Sequence, residues 1–223
     1  MENEELIDLL EKTQQKIKRV DFKEMPESWV IEEIILPINK VLGWNGDSNI
    51  IQQQKCDNGY IDILLMDNNK PKAIVEGKKG DQSLEDHKEQ LSDYLECTNA
   101  KVGILTKGSI WEFYLPRFNN MWRMKKFCVL NIEDDLKTLH DRFMDYLYID
   151  NIISPNYSRI ARKKIKTYDI DNSLMGISDI ELMEMIDKIR PKFPTLKPED
   201  KNRFYDLKRE AYKRKLPEEY CLF

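Results

Sequence analysis

Histidine and cysteine are scarce in this chain, and their placement narrows the chemistry open to it. Two histidines (His87 and His140) and four cysteines (Cys56, Cys97, Cys128 and Cys221) occur in 223 residues. No two cysteines form a CxxC pair. A structural zinc centre or a four-cysteine iron–sulfur cluster draws on such clustering, so neither is expected. Scattered, reduced thiols are expected instead. Long apolar runs are missing too. No stretch approaches the roughly 18 residues that read as a membrane span. The acidic, amphipathic opening MENEELIDLLEK does not read as a secretory leader. A soluble, cytoplasmic chain with no membrane partner is the expectation. Low-complexity linkers and internal repeats are also lacking, so any domain boundary must be soft.

What is present fits a globular protein, with 41% hydrophobic and 10% aromatic residues. That length allows one core of roughly 150 residues and a smaller appendage. The net charge is −4, unevenly spread. The first 150 residues hold 28 acidic against 20 basic side chains, and the remainder 12 against 16. Two units are expected, 1–150 and a helical appendage over 151–223, with the boundary near Asp150–Tyr157.

Periodicity orders the elements. Leu6, Leu9, Leu10 and Ile17 mark a first helix. Glu27–Leu42 reads as a second, entered through Pro26 and kinked at Pro37. The period then shortens. Strands are expected at Asn49–Lys55, Tyr60–Met66 and Lys72–Lys79, joined by turns at Asp57-Asn58-Gly59 and Asp67–Pro71. A helix at Ser83–Thr98 follows, then strands at Lys101–Thr106, Ile110–Leu115 and Lys125–Asn131, and a helix at Leu136–Tyr148. Beyond that the text is helical (Ser158–Lys166, Ser178–Arg190, Pro198–Lys215), with Ser178 and Glu181 forming a capping box. The fold class is α/β, a mixed central sheet flanked by helices with an all-helical C-terminal part.

Within this frame Glu76-Gly77-Lys78 stands out. Residues i and i+2 of a strand share a face, so Glu76 and Lys78 point the same way and Val75 the opposite way. One strand earlier, Asp62 shares its face with Leu64 and Met66, and Ile61, Ile63 and Leu65 take the other. Normal pairing brings Asp62 to Glu76. Two carboxylates so close repel unless a cation sits between them. Mg²⁺ (or Mn²⁺) suits the place, held by Asp62, Glu76 and the Gly77 carbonyl, with waters completing the shell. Lys78 is then free to act on water or phosphate oxygens. The acid-x-Lys spacing alone is common. It recurs at Asp21/Lys23, Asp86/Lys88, Asp135/Lys137, Glu199/Lys201 and Asp206/Lys208, all in helical or helix-edge text where solvated charge is ordinary. Only Glu76/Lys78 interrupts an apolar strand, where charge is costly unless paired or metal-bound. A structural ion pair is the alternative.

Three stretches carry a family resemblance. Pro26-Glu27 through Leu36-Pro37 to Leu42-Gly43-Trp44, then Gly59–Leu64, then Ala73–Lys79, resemble the N-terminal nuclease domain of type I restriction enzyme R subunits. Gln90–Tyr94 resembles that family's Gln-x-x-x-Tyr element, and Val102–Tyr114 its closing hairpin. The resemblance spans roughly 25–130. It implies a PD-(D/E)xK, restriction-endonuclease-like core and Mg²⁺-dependent hydrolysis of DNA phosphodiesters, in prokaryotic or phage defence. It also implies Asp62 and Glu76 as metal ligands, Lys78 as the catalytic lysine, and Gln90 and Tyr94 as organisers of the site or DNA contacts. Glu27 matches the family's helix glutamate. Glu33 competes for that role, about 240° round an ideal helix.

There are departures. The hairpin reads Thr-Lys-Gly where the family usually has Thr-Asn-Gly. The motor half of an R subunit is missing from these residues, and Gly103–Ser109 lacks the lysine of a phosphate-binding loop. Two other readings therefore stand beside the nuclease. One is a nucleic-acid-binding or assembly module that kept the fold without turnover. The other is a nuclease subunit whose motor or specificity partner is a separate chain. His87 reads as a solvated helix residue, Trp29, Trp44 and the Trp111–Tyr114 stripes as packing, and the basic runs Arg159–Lys166 and Lys201–Lys215 as solvated faces.

Overall fold

The computed structural model describes residues 2–19, 22–46, 48–57, 59–118, 121–165, 178–196 and 198–221. The chain divides into two compact units, Met1–Ile165 and Lys166–Phe223.

Helix α1 of the first unit spans Glu2–Arg19. Helix α2 follows in three continuous pieces, Glu27–Val30, Ile31–Ile35 and Leu36–Val41, the middle one with π-helical bonding. The break expected at Pro37 takes that form, because proline offers no N–H and crowds the carbonyl four residues back. Strands β1 (Ile50–Cys56), β2 (Gly59–Asp67) and β3 (Lys70–Gly77) form an antiparallel meander. A 3₁₀ turn, Leu84–His87, and helix α3, Lys88–Thr98, then cross to β4 (Val102–Thr106). Strand β4 lies parallel to β3. Strands β5 (Ile110–Phe118) and β6 (Met121–Asn131) close the sheet as an antiparallel hairpin. The six strands lie side by side in chain order. Helices α4 (Leu136–Leu147), α5 (Ile149–Ile153) and α6 (157–165) complete the unit.

Helices cover both faces of the sheet. On one, Ile63, Leu65, Val75, Val102 and Ile104 pack against Leu6 and Leu10 of α1, Ile34 and Ile35 of α2, and Phe143 of α4. On the other, Ile61, Leu64, Ile74 and Leu105 pack against Leu91, Tyr94 and Leu95 of α3. Trp29, Trp44 and Trp111 serve packing as expected. Trp44 and Trp111 are fully buried, and their indole N–H groups donate to the carbonyls of Leu147 and Gly108.

Several expectations are corrected. The first unit runs past 150 to Ile165, because Ile152, Tyr157, Ala161 and Ile165 all enter its core. Strands β5 and β6 extend to the pair Phe118↔Met121. Pro116 suggests an end at Leu115, but the ladder shifts register between Leu115 and Arg117, so no bond is asked of the proline. Pro71 likewise belongs to β3, paired with Met66 beside a register shift. The turn before it is the two-residue Asn68-Asn69, both with positive φ. Cys56 and Cys97 are joined as a disulfide between the end of β1 and α3, which replaces the expectation of four reduced thiols, and Cys128 and Cys221 are free and buried. Asn58 and Lys166, which fall in an expected turn and helix, lie outside the described residues.

The second unit is helical. Helix α7 (Asp179–Ile189) opens with the full Ser178/Glu181 capping box. A 3₁₀ stretch (Arg190–Thr195) leads to α8 (Pro198–Lys213) and α9 (Glu218–Cys221). Leu182, Ile186, Phe204, Leu207 and Ala211 form its core. Among the described residues no helix is long and apolar enough to cross a membrane.

Candidate active site

Asp62, Glu76 and Lys78 come together where the β2–β3 ladder gives way to side chains. The regular pairing runs Leu65↔Ala73, Leu64↔Ile74, Ile63↔Val75. At the next position the two carboxylates take over. The Asp62 N–H donates to Glu76 Oε1 at 3.0 Å, and the Gly77 N–H donates to Asp62 Oδ2 at 3.0 Å. Each carboxylate is thus bonded to the backbone of the other strand. Alternation along β2 breaks at this point. Ile61 joins the α3 face whereas Ile63 joins the opposite one, although strict period-2 spacing puts both on the same side.

The site is enclosed. Asp62 is 7% exposed, Glu76 1% and Lys78 6%. Lys78 lies one residue beyond β3, and its N–H donates to the Thr106 carbonyl at 2.8 Å, which pins the backbone. Its ammonium stands 3.5 Å from Glu76 Oε2 and 3.9 Å from Glu27 Oε2. Burial, and secondarily the Asp62 carboxylate, push the Glu76 carboxyl up to about 8, against the pull of the Asp62 N–H and Lys78. Burial also raises the Glu27 carboxyl. Lys78 opposes that rise and Asp62 adds to it.

The two helix glutamates separate cleanly. Glu27 faces Lys78, whereas Glu33 is exposed and paired with Lys16 of α1. Gln90 is half-buried and donates to the Tyr94 hydroxyl at 3.0 Å, with Leu91 fully buried between them. Tyr94 in turn backs the start of β2, since a Cβ on Gly59 would lie 2.6 Å from its hydroxyl. Tyr94 therefore meets β2 at Gly59, three residues before Asp62 in the strand, and Gln90 joins it through the Tyr94 hydroxyl. His87 differs from its reading as a solvated residue. It is half-buried at the end of the 3₁₀ turn, and burial together with nearby Lys78 lowers its pKa.

One residue was not foreseen. Gln53 of β1 donates from Nε2 to Asp62 Oδ1 at 3.2 Å. Its only signal in the sequence is its place in the run Gln52-Gln53-Gln54, which by itself reads as an exposed strand edge. The five other acid-x-Lys pairs stay off the sheet wherever they are described. Asp135 caps α4 and binds the Thr138 N–H, Asp86 and Lys88 lie at the 3₁₀–α3 junction, and the last two pairs lie in α8. Asp21 lies outside the described residues.

The donor set fits a divalent cation. An ionised carboxylate pair offers about eight lone-pair sites. Among the described residues four are engaged, by the N–H groups of Asp62 and Gly77, the Gln53 amide and Lys78. The remaining lone pairs are open to a cation, which would have to displace the proton that burial and Asp62 keep on Glu76. Mg²⁺ needs only one or two carboxylates and keeps its own waters. Among the described residues no group of three His, Cys, Asp or Glu side chains forms a larger cage. Gly77, expected as a carbonyl ligand, bonds to Asp62 through its N–H.

No protein-family model, no curated protein and no solved structure matches the chain.

Proposed function

We propose that the first unit is a PD-(D/E)xK-type nuclease that hydrolyses DNA phosphodiesters with Mg²⁺ or Mn²⁺. The observation that carries this reading is the reciprocal bonding of Asp62 and Glu76 to each other's strands, with Lys78 beside them. Buried acids that serve only structure are normally neutralised by paired bases. Here Lys78 stands beside two acids, and once Glu76 gives up its proton the two carboxylates outweigh one ammonium, which leaves negative charge for a cation. Such a cation supplies charge that polarises the phosphodiester and eases ionisation of water. Asp62 and Glu76 hold and orient it. Lys78 donates to the attacking water or to the phosphoryl oxygens as charge develops there. Glu27 sets the position of Lys78 from α2. The resemblance over 25–130 supports a restriction-endonuclease-like core, and the mixed sheet with helices on both faces is compatible with it.

A second reading is a binding or assembly module without turnover. The contact between Lys78 and Glu76 favours it, because it partly neutralises the pair without a cation. Incubating the protein with plasmid, linear duplex and single-stranded DNA, with and without Mg²⁺ or Mn²⁺, separates the two. Metal-dependent cleavage lost in Asp62→Ala supports the nuclease. DNA retention with no cleavage under any metal leaves the binding module.

A further inference from the structure

Gln53 has φ of +53° in the middle of a strand. Glycine adopts this left-handed conformation freely, whereas a residue with a Cβ does so only at a cost in stability. The position is not arbitrary. Gln53 falls between the pairs Gln52↔Ile63 and Gln54↔Ile61, directly opposite Asp62. That is also where β2 loses its alternation. The side chain carried on this unfavourable backbone reaches Asp62 Oδ1 at 3.2 Å. Irregularities of this kind re-aim side chains near functional sites.

We propose that Gln53 is a positioning residue that locks the Asp62 carboxylate in its cation-binding orientation. The inference rests on the metal-dependent reading of the site. Two anchors are needed to fix a carboxylate plane, because rotation about its last bond is soft. The Gly77 N–H holds Oδ2, and Gln53 holds Oδ1. Without Gln53 one anchor remains, and Asp62 swings about it. Groups that orient metal ligands from behind commonly weaken affinity by about 10–100-fold when removed.

Two substitutions separate this role from a structural one. Gln53→Gly relieves the backbone and deletes the amide. Gln53→Asn tolerates the left-handed backbone but is one methylene too short to reach Oδ1. Melting curves of the full chain across a Mg²⁺ titration measure stability and metal affinity apart from cleavage. Without metal, both variants are expected to melt at or above the wild-type temperature. Both are expected to need about tenfold more Mg²⁺ for the same stabilisation, and kcat falls while KM for DNA holds. Gln52→Ala, at the next position, is the control and keeps wild-type Mg²⁺ dependence. Variants that melt lower yet respond to Mg²⁺ within twofold of wild type would show that Gln53 serves the fold alone. A wild-type chain indifferent to Mg²⁺ and Mn²⁺ would overturn the metal-dependent reading, and this role with it.

Discussion

Lys78 Nζ stands 3.5 Å from Glu76 Oε2 in a pocket where both side chains are nearly lost to solvent. A catalytic lysine and a structural counter-ion both occupy such a position, and they differ in what their removal does. If Lys78 acts on water and phosphate, Lys78→Ala lowers cleavage by about 100-fold or more. The Mg²⁺-induced rise in melting temperature then survives, since the ligands remain. If Lys78 only balances charge, the variant loses about 3–5 kcal/mol of stability, because a buried charge is left without its partner. Cleavage assays beside melting curves distinguish the two. We expect the first outcome.

The Glu76 carboxyl gives a pH signature. Its value rises from 4.5 in the unfolded chain to about 8 in the folded one. Between those values the native state binds more protons than the unfolded state, so metal-free stability falls as pH rises. The stabilising contribution is complete below 4.5 and is gone once pH passes about 8. Glu76→Gln should flatten this slope. If Mg²⁺ binds at Glu76 as proposed, it competes with the same proton, and apparent Mg²⁺ affinity should increase as pH climbs toward 8 in the wild type. Denaturant melts of metal-free protein at a series of pH values, repeated with Mg²⁺, test both signs. Stability that rises with pH across this window would contradict the environment assigned to Glu76.

Glu27 and Glu33 offer a comparison within one helix. Glu27→Gln removes a charge 3.9 Å from Lys78 and should lower cleavage about tenfold or more, by letting Lys78 drift toward Glu76. Glu33→Gln breaks an exposed pair with Lys16 and should change stability by less than about 1 kcal/mol, with cleavage unaltered. Equal effects on cleavage would remove Glu27 from the site.

That Asp62, Glu76 and Lys78 come together was legible in the sequence for a definable reason. Charge inside an apolar strand is expensive, so Glu76 and Lys78 could be told apart from five look-alike pairs by periodicity alone. Ile74 and Val75 fall on opposite faces as period-2 spacing requires. Gln53 was out of reach because its importance lies in a backbone angle, and three consecutive glutamines give no hint of one. The placement of Ile61 failed for a related reason, since alternation assumes an unbroken ladder and this one is interrupted at Asp62. Charge geometry chose between Glu27 and Glu33, where helical spacing showed only that both could not face the site. The C-terminal end of β5 and the start of β3 differ from the expectation because proline marks a break in sequence, whereas register shifts here accommodate Pro71 and Pro116. The Cys56–Cys97 link joins residues 41 apart, a pairing that spacing alone does not select.

Gly59 and Tyr94 couple the Gln90 helix to the strand bearing Asp62. Gly59 has φ of +148°, and a Cβ there would lie 2.6 Å from the Tyr94 hydroxyl. Gly59→Ala therefore strains the backbone and drives the ring from its place, costing about 1–3 kcal/mol. It should also break the bond from Gln90 to the hydroxyl. Tyr94→Phe removes the obstructing oxygen and leaves room for the new methyl. The double variant should then be more stable than the sum of the single losses, by about 0.5–3 kcal/mol of coupling. Cleavage is expected to behave differently. If the Gln90–Tyr94 pair organises the site, Tyr94→Phe lowers activity alone, and the double variant recovers stability without recovering activity. Denaturant unfolding and plasmid cleavage on all four proteins of the cycle provide the measurement. Additive stabilities would show that Gly59 and Tyr94 do not press on each other in solution, and unchanged cleavage in Tyr94→Phe would confine the hydroxyl to a packing role.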